Sequence, residues 1–365
     1  MSKRVIISGG GTGGHIFPAV AIANALKKIA PETEILFVGA NGRMEMERVP
    51  AAGYKIIGLD IQGFQRKSLL KNLQLPYKLL ISLIKSRSII KEFKPDVAVG
   101  VGGYASGPLL YAASLMKIPY LIQEQNSYAG ITNKNLGKRA KIICVAFEGM
   151  DKFFPAEKIM LTGNPIRTET VDTNGKREAA FEFFGLSPLK KTILVTGGSL
   201  GAGTLNKSML AGLNKFIEHD VQLIWQTGKN YYESIQEQLV GGGHENVKVL
   251  EFLQKMDLAY AAADVIISRA GAGTIAELYV VKKPVILVPS PNVAEDHQTK
   301  NAMALVKNDA AILIRDAEAE QGLVDAALQL LKDVAKCETL SRNIGKMALP
   351  HADIVIAREV LRIAN

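Results

Sequence analysis

Arg4-Val5-Ile6-Ile7-Ser8-Gly9-Gly10-Gly11-Thr12-Gly13-Gly14-His15 joins a β-branched run to a glycine turn and then to a helix-like segment. The same order recurs in the second half, where Thr192-Ile193-Leu194-Val195-Thr196 leads into Gly197-Gly198-Ser199-Leu200-Gly201-Ala202-Gly203. A strand feeding a glycine turn and then a helix is how an α/β domain offers bare backbone N–H groups to an anion. Two such units in 365 residues predict two nucleotide-type domains facing each other. A cleft between them suits an enzyme that joins two phosphate-bearing substrates.

Outward from these turns, short apolar runs alternate with longer helical patterns. The predicted strands are 5–8, 35–39, 97–101, 120–123, 142–145 and 159–162, then 192–196, 221–226, 247–250, 265–268, 285–288 and 311–314. Several are continuous β-branched runs, as expected of parallel strands buried on both faces. The fold class is therefore α/β, with two Rossmann-like, doubly wound parallel-sheet domains. Gly163-Asn164-Pro165-Ile166-Arg167 ends the first half and serves as the linker. The domains are then 1–165 and 166–346. Residues 347–365 hold a helical pattern after Pro350 (Ile354, Ala357, Val360, Leu361) that crosses back to the first domain.

Bulk properties exclude several classes. Two cysteines, Cys144 and Cys337, are too few and too far apart for a disulfide framework or a zinc site, which points to a reducing, cytoplasmic setting. Five scattered histidines and unclustered carboxylates give no metal signature. The apolar start is too short for a signal peptide and reads as a strand. No apolar stretch approaches the roughly 20 residues that span a bilayer. The net charge of +9 is uneven, with eight basic residues and a single acid between Gln62 and Lys94. That concentration points to an anionic surface as partner. After Pro76 the segment reads as a core-packing helix with a solvated basic back. Before it, Phe64, Leu69, Leu70, Leu73 and Leu75 among Arg66, Lys67 and Lys71 read as a loop touching anionic lipid.

The turns carry the chemistry. Gly9 to Gly14 satisfies G-x-G-x-x-G, yet the next predicted strand ends Phe37-Val38-Gly39-Ala40-Asn41 with no acid to hold a ribose, which disfavours a nicotinamide or flavin role. His15 falls in the first helical turn, and histidine as a residue type can exchange a proton near neutral pH, so it is a candidate base for a hydroxyl nucleophile, or else a cap of the turn. Glu124, in Gln123-Glu124-Gln125-Asn126 at a strand end, is a second candidate base. Asn126 is a hydrogen-bonding group for a sugar. Ser199 adds a hydroxyl to the second turn. A third cluster, Ser268-Arg269-Ala270-Gly271-Ala272-Gly273-Thr274-Ile275-Ala276-Glu277, also follows a strand, and its N–H groups with Thr274 suit a diphosphate. Glu277 there can accept both hydroxyls of a ribose or simply favour the helix dipole. Gln298 and Asn301 can read sugar hydroxyls.

These stretches occur together, and in the same order, in a known family. Gly9 to His15 with Phe17-Pro18-Ala19, Gly102-Gly103-Tyr104-Ala105-Ser106-Gly107-Pro108, Glu124-Gln125-Asn126, Thr132-Asn133-Lys134, Gly163 to Arg167, Gly197 to Ala202 and Ser268 to Thr274 all resemble the MurG family of peptidoglycan N-acetylglucosaminyltransferases, over nearly the whole length. The third cluster departs slightly at Ala270 to Gly273, where the family often has Ser-Gly-Ala. The resemblance implies a GT-B fold and an inverting, metal-independent transfer of GlcNAc from UDP-GlcNAc to the C4 hydroxyl of undecaprenyl-diphospho-MurNAc-pentapeptide, lipid I to lipid II. It implies donor contacts from Thr12, Gly13, Gly14, Asn126, Arg167, Ser199, Leu253, the segment Ala272, Gly273, Thr274, Ile275, Ala276 and Glu277, and Gln298. Glu277 would hold the ribose, Arg167 would organise the donor, and His15 or Glu124 would be the base. The partners implied are UDP-GlcNAc, lipid I, an anionic membrane surface, and cell-wall or divisome proteins, with no nucleic acid and no cofactor. The protein would sit peripherally on the cytoplasmic face of the inner membrane.

Other readings of the same architecture are a different lipid glycosyltransferase, a UDP-GlcNAc 2-epimerase, or a non-catalytic nucleotide-binding regulator. The basic, apolar segment 62–75 argues against the epimerase, which needs no lipid. His15 and Glu124 argue against the regulator.

Overall fold

The computed structural model describes residues 2–63, 74–240 and 245–364. The chain divides into two compact units, Met1–Ile166 with Leu349–Asn365, and Arg167–Ala348. The first unit is built on a seven-stranded sheet of β1 (Arg4–Gly9), β2 (Glu34–Ala40), β3 (Lys55–Leu59), β4 (Val97–Gly102), β5 (Tyr120–Glu124), β6 (Ile142–Val145) and β7 (Ile159–Leu161). Its order is β3-β2-β1-β4-β5-β6-β7, and every pairing is parallel.

Alternation along these strands fills both faces. Ile6, Val38, Ala98 and Ile122 enter one core, while Val5, Ile7, Phe37, Val99 and Leu121 enter the other. The second core is closed by Ile16, Ile22 and Leu26 of helix Gly13–Ile29 and by Ile356, Ala357 and Val360 of the C-terminal helix Ala352–Ile363. Burying Ile356 and Val360 completely contributes about 1.5–3 kcal/mol each, enough to hold this helix against the sheet.

The second unit is built on β8 (Thr192–Thr196), β9 (Gln222–Gln226), β10 (Val247–Leu250), β11 (Val265–Ser268), β12 (Val285–Leu287) and β13 (Ile312–Leu313), in the order β10-β9-β8-β11-β12-β13 and again all parallel. Its largest buried side chain, Trp225, donates its indole N–H to Asn206 Oδ1 at 2.9 Å. Asn206, which follows the second glycine turn, is therefore spent inside the core.

Two features depart from the sequence expectation. Strand β3 was not predicted, because Lys55-Ile56-Ile57-Gly58-Leu59 is a short edge run with a charged start and too few apolar residues to signal a period. The helix Leu75–Phe93 meets the core through Ile89 and Ile90, with Leu83 and Phe93 packed beside them, but its solvated back is apolar as well as basic. Only Ser82, Ser86, Ile89 and Ile90 are buried, while Tyr77, Leu79, Leu80 and Ile84 are exposed, Tyr77 at 67% and Ile84 at 61%. Of the residues read as membrane contacts, Leu75 begins this helix; Phe64, Arg66, Lys67, Leu69, Leu70, Lys71 and Leu73 lie outside the described residues.

Candidate active site

In each sheet the strand order reverses at one point, between β1 and β4 in the first and between β8 and β11 in the second. Open α/β sheets bind ligands outside the carboxyl ends of strands at such switch points. Both glycine turns lie there, at the ends of β1 and β8.

The first turn does not offer the bare N–H groups that its sequence promises. Gly10 N–H donates to Gly102 O at 3.2 Å, and Gly11 N–H donates to Glu45 Oε2 at 2.8 Å. Glu45 Oε1 also accepts Ala40 N–H at 3.0 Å, so a fully buried carboxylate knits the turn to the end of β2. A Cβ at Gly10 would collide with Glu45 Oε1, which explains that glycine. The ribose-binding acid sought at the β2 end thus has a counterpart five residues on, and it serves the turn itself. The open donors are those of Gly13 and Gly14, the first residues of a 17-residue helix whose N-terminus favours an anion.

Thr12 is the N-cap of that helix, and its Oγ1 lies 3.2 Å from His15 Nδ1. The half-buried imidazole packs on the Cα of Gly102, where a Cβ would come within 2.5 Å of His15 Cδ2. Gly102 has a φ of +99° and Gly103 one of +93°, a region other residues rarely adopt. Ser106 Oγ donates to Ser8 O at 3.0 Å and Gly102 O at 2.9 Å, clamping the two glycine segments together. Exposed Tyr104 carries the Arg43 guanidinium 5.7 Å above its ring beside this turn. Neither Arg43 nor Glu45 belongs to a recognisable motif; both are brought here by the loop after β2.

Glu124 ends β5, two strands from β1 and hence about 10 Å across the sheet. Its carboxylate is buried and saturated. Oε1 accepts Asn126 N–H at 3.1 Å and Asn126 Nδ2 at 3.5 Å, while Oε2 accepts Gly130 N–H at 3.1 Å and Asn133 Nδ2 at 2.8 Å. Burial pushes the Glu124 pKa up, opposed by the bonds from Asn133, Asn126 and Gly130. A carboxylate committed to four donors shapes the loop 125–133. Asn126 is held by it through both backbone and side chain.

The second unit contains a cavity of about 820 Å³ at the ends of β8, β11 and β12, lined by Thr196, Gly198, Gly203, Arg269, Thr274 and Gln298 among others. Gly271 is the N-cap of helix Ala272–Val281. Ile275 N–H returns to Gly271 O at 2.9 Å; among the described residues the N–H groups of Gly273 and Thr274 have no protein acceptor. A Cβ on Gly273 would meet nothing within 4 Å, so a ligand can approach that backbone closely. Gly273 and Thr274 therefore form the open end of the helix, next to Ala272, whereas the Ile275 and Ala276 side chains are buried.

Glu277, one turn in, is half-buried and accepts the Tyr260 hydroxyl at 2.9 Å. Burial pushes its carboxyl up, against the pull of Tyr260 and the Arg167 charge. Arg167 is thereby placed beside Glu277. Gln298 Oε1 is pinned by the N–H groups of Ala270 at 3.2 Å and Ser290 at 2.8 Å, so its Nε2 is the end that can donate to a ligand. Asn301, expected beside it, is fully buried and donates to Ala270 O at 3.4 Å. Ser199 is exposed in the second turn but off the cavity wall, and the Leu253 side chain is buried. Either contact would have to come from the backbone or from movement of its loop.

Arg269, Lys207 and Asp316 are among the cavity residues to which sequence reading assigned no role. Arg269 was within sight, next to Ser268 at a strand end; Asp316 had no local signal. Among the described residues no cluster of histidine, cysteine and carboxylate side chains could hold a metal ion.

Models of the glycosyltransferase family 28 N-terminal and C-terminal domains match residues 5–145 and 192–355. With a glycine turn at the switch point of each parallel sheet, this defines a glycosyltransferase of the GT-B type. A Bacteroides fragilis protein named UDP-N-acetylglucosamine–N-acetylmuramyl-(pentapeptide) pyrophosphoryl-undecaprenol N-acetylglucosamine transferase is 58% identical over 364 residues, covering 99% of this chain and 96% of its own. The crystal structure of Acinetobacter baumannii MurG superposes with a TM-score of 0.80 at 28% identity, over 99% of both chains. A Neisseria meningitidis UDP-GlcNAc 2-epimerase shares the fold, with a TM-score of 0.66 at 16% identity over 99% of this chain and 100% of its own. The chain belongs to the MurG family.

Proposed function

We propose that the protein transfers GlcNAc from UDP-GlcNAc to the C4 hydroxyl of undecaprenyl-diphospho-MurNAc-pentapeptide, with inversion and without a metal. The observation that carries this reading is the cavity at the β8/β11 switch point, where a helix N-terminus, Arg269 and Gln298 converge in a member of this family, with Glu277 one turn further along that helix. The second unit holds the donor. The N–H groups of Gly273 and Thr274 receive the diphosphate, Glu277 receives the ribose, and Arg167 steadies that carboxylate. In the first unit His15 removes the acceptor proton as its oxygen attacks the anomeric carbon. The bond to UDP breaks in the same displacement, and the charge on the departing diphosphate rests on the helix end. Radiolabelled UDP-GlcNAc with a lipid I analogue should give labelled lipid II at the same rate with and without EDTA. Absence of transfer, or its abolition by EDTA, overturns the reading.

The Glu277 role has a pH signature. Its carboxylate must be ionised to accept two hydroxyls, and its pKa is raised by burial. UDP affinity should therefore fall as pH drops through that raised value and recover above it. In Glu277→Gln, affinity should be lower and flat over the same range, as read by calorimetric titration. A slope that persists in the variant removes Glu277 from the ribose.

The membrane-facing surface follows from the helix Leu75–Phe93. Its exposed Tyr77, Leu79, Leu80 and Ile84 stand among Lys78, Lys85, Arg87 and Lys91, and it packs on helix Ser106–Leu115, which itself exposes Tyr111 and Leu115. Apolar residues ringed by cations suit an anionic bilayer surface, and no helix among the described residues is long and apolar enough to cross one. This surface would place the protein peripherally on the cytoplasmic face of the inner membrane. Leu80→Asp with Ile84→Asp should weaken co-flotation with anionic vesicles about tenfold or more, since each side chain contributes up to about 1.5–3 kcal/mol when buried. Unchanged flotation would move the contact elsewhere.

A further inference from the structure

Asp316 and Glu320 are acids on the wall of a cavity that also carries Arg269, Lys207 and a helix N-terminus suited to an anion. Of the two, Asp316 is the one paired to Arg269. It opens helix Asp316–Lys332, and both of its oxygens are engaged. Oδ1 pairs with Arg269 Nη1, and Oδ2 accepts the Thr204 hydroxyl at 2.9 Å. The pair is well shielded, with side-chain exposures of 14% for Arg269 and 21% for Asp316. The same Nη1 also donates to Val288 O at 3.0 Å and Pro289 O at 3.2 Å. Every anchor of Arg269 therefore falls on one nitrogen. Among the described residues its Nε and Nη2 make no hydrogen bond, although the side chain lines the cavity.

We propose that Asp316 is a positioning residue for nucleoside diphosphate binding. It holds one edge of the Arg269 guanidinium against the wall so that the remaining N–H groups meet the diphosphate oxygens. Planar guanidinium groups bind phosphate best when their orientation is fixed beforehand. Thr204 extends the hold, because it stands in the first turn of helix Gly203–Ala211, directly after the second glycine turn. One acid thus ties the second turn and the third glycine cluster into a single diphosphate seat. The inference deepens the donor assignment made above and rests on it.

Its test turns on a sign. If Asp316 acted only through its negative charge, Asp316→Asn would tighten binding of an anion. Positioning predicts the opposite. By calorimetric titration of the full chain, UDP affinity should fall about tenfold or more in Asp316→Asn, while uridine, which lacks phosphate, stays within about twofold. Thr204→Val, which leaves the Arg269–Asp316 pair intact, should lower UDP affinity by a smaller factor and supplies the test if Asp316→Asn does not fold. UDP binding unchanged or tightened in the folded variants, or equal losses for UDP and uridine, overturns the inference. A wild-type protein that binds no UDP instead removes the donor assignment beneath it.

Discussion

His15→Ala is expected to lower the turnover of GlcNAc transfer by about 10²–10⁴-fold while leaving UDP affinity within about twofold. The imidazole lies at the β1/β4 switch point, oriented by Thr12 Oγ1 and seated on Gly102, whereas Gly273, Thr274, Glu277 and Arg167, proposed to hold the diphosphate and ribose, belong to the second unit. Loss of a base raises the barrier for deprotonating the acceptor and removes nothing that holds the donor. The limb of the pH–rate profile set by that base should disappear with it. Parallel measurements of turnover and UDP binding decide the matter. Weakened UDP binding at unchanged turnover would falsify the base assignment.

Glu124→Gln should act mainly on stability. The substituted amide turns an NH₂ group toward donors that now share a carboxylate oxygen, either Gly130 N–H with Asn133 Nδ2 or the pair from Asn126. Buried donors left without an acceptor cost about 1–3 kcal/mol each, so the loss should be about 2–5 kcal/mol. Against a total of about 5–15 kcal/mol this is a large fraction, and the first unit should melt about 5–15 °C lower. The pH dependence gives a second check. A carboxyl whose folded pKa is raised binds protons more readily folded than unfolded, so its contribution is most favourable at acid pH and declines as pH rises through the raised value. That decline should vanish in Glu124→Gln. Turnover of the folded fraction should fall by less than about tenfold. A variant that melts like wild type yet loses transfer as severely as His15→Ala would transfer the base role to Glu124.

The contrast between these two residues marks where local reading stops. His15 stood in a helix's first turn and Glu124 at a strand end, both in polar company, and the sequence favoured His15 while keeping Glu124 as a second candidate base. What sets Glu124 apart is the set of donors already aimed at it, which come from Asn126, Gly130 and Asn133 and close around it only when the loop folds. Likewise, Gln298 and Asn301 both looked able to read sugar hydroxyls, three positions apart on one helix. Packing sends Asn301 inward to Ala270 and leaves the Gln298 amide nitrogen at the cavity.

The two sheets, the turns at the ends of β1 and β8 and the helix start at Gly271 follow from the sequence by itself. A parallel βα unit writes its periodicity, its glycines and its helix start within about 30 consecutive residues. Tertiary structure alone decided the rest. It placed Glu45 under the first turn, set Asp316 against Arg269 and Thr204, and turned Leu79, Leu80 and Ile84 outward. Glu45 lies 34 positions from Gly11, and Asp316 lies 112 from Thr204. Contacts at such separations depend on how strands order themselves in the sheet and on which helix face finds room to bury. No window of neighbouring residues carries that information.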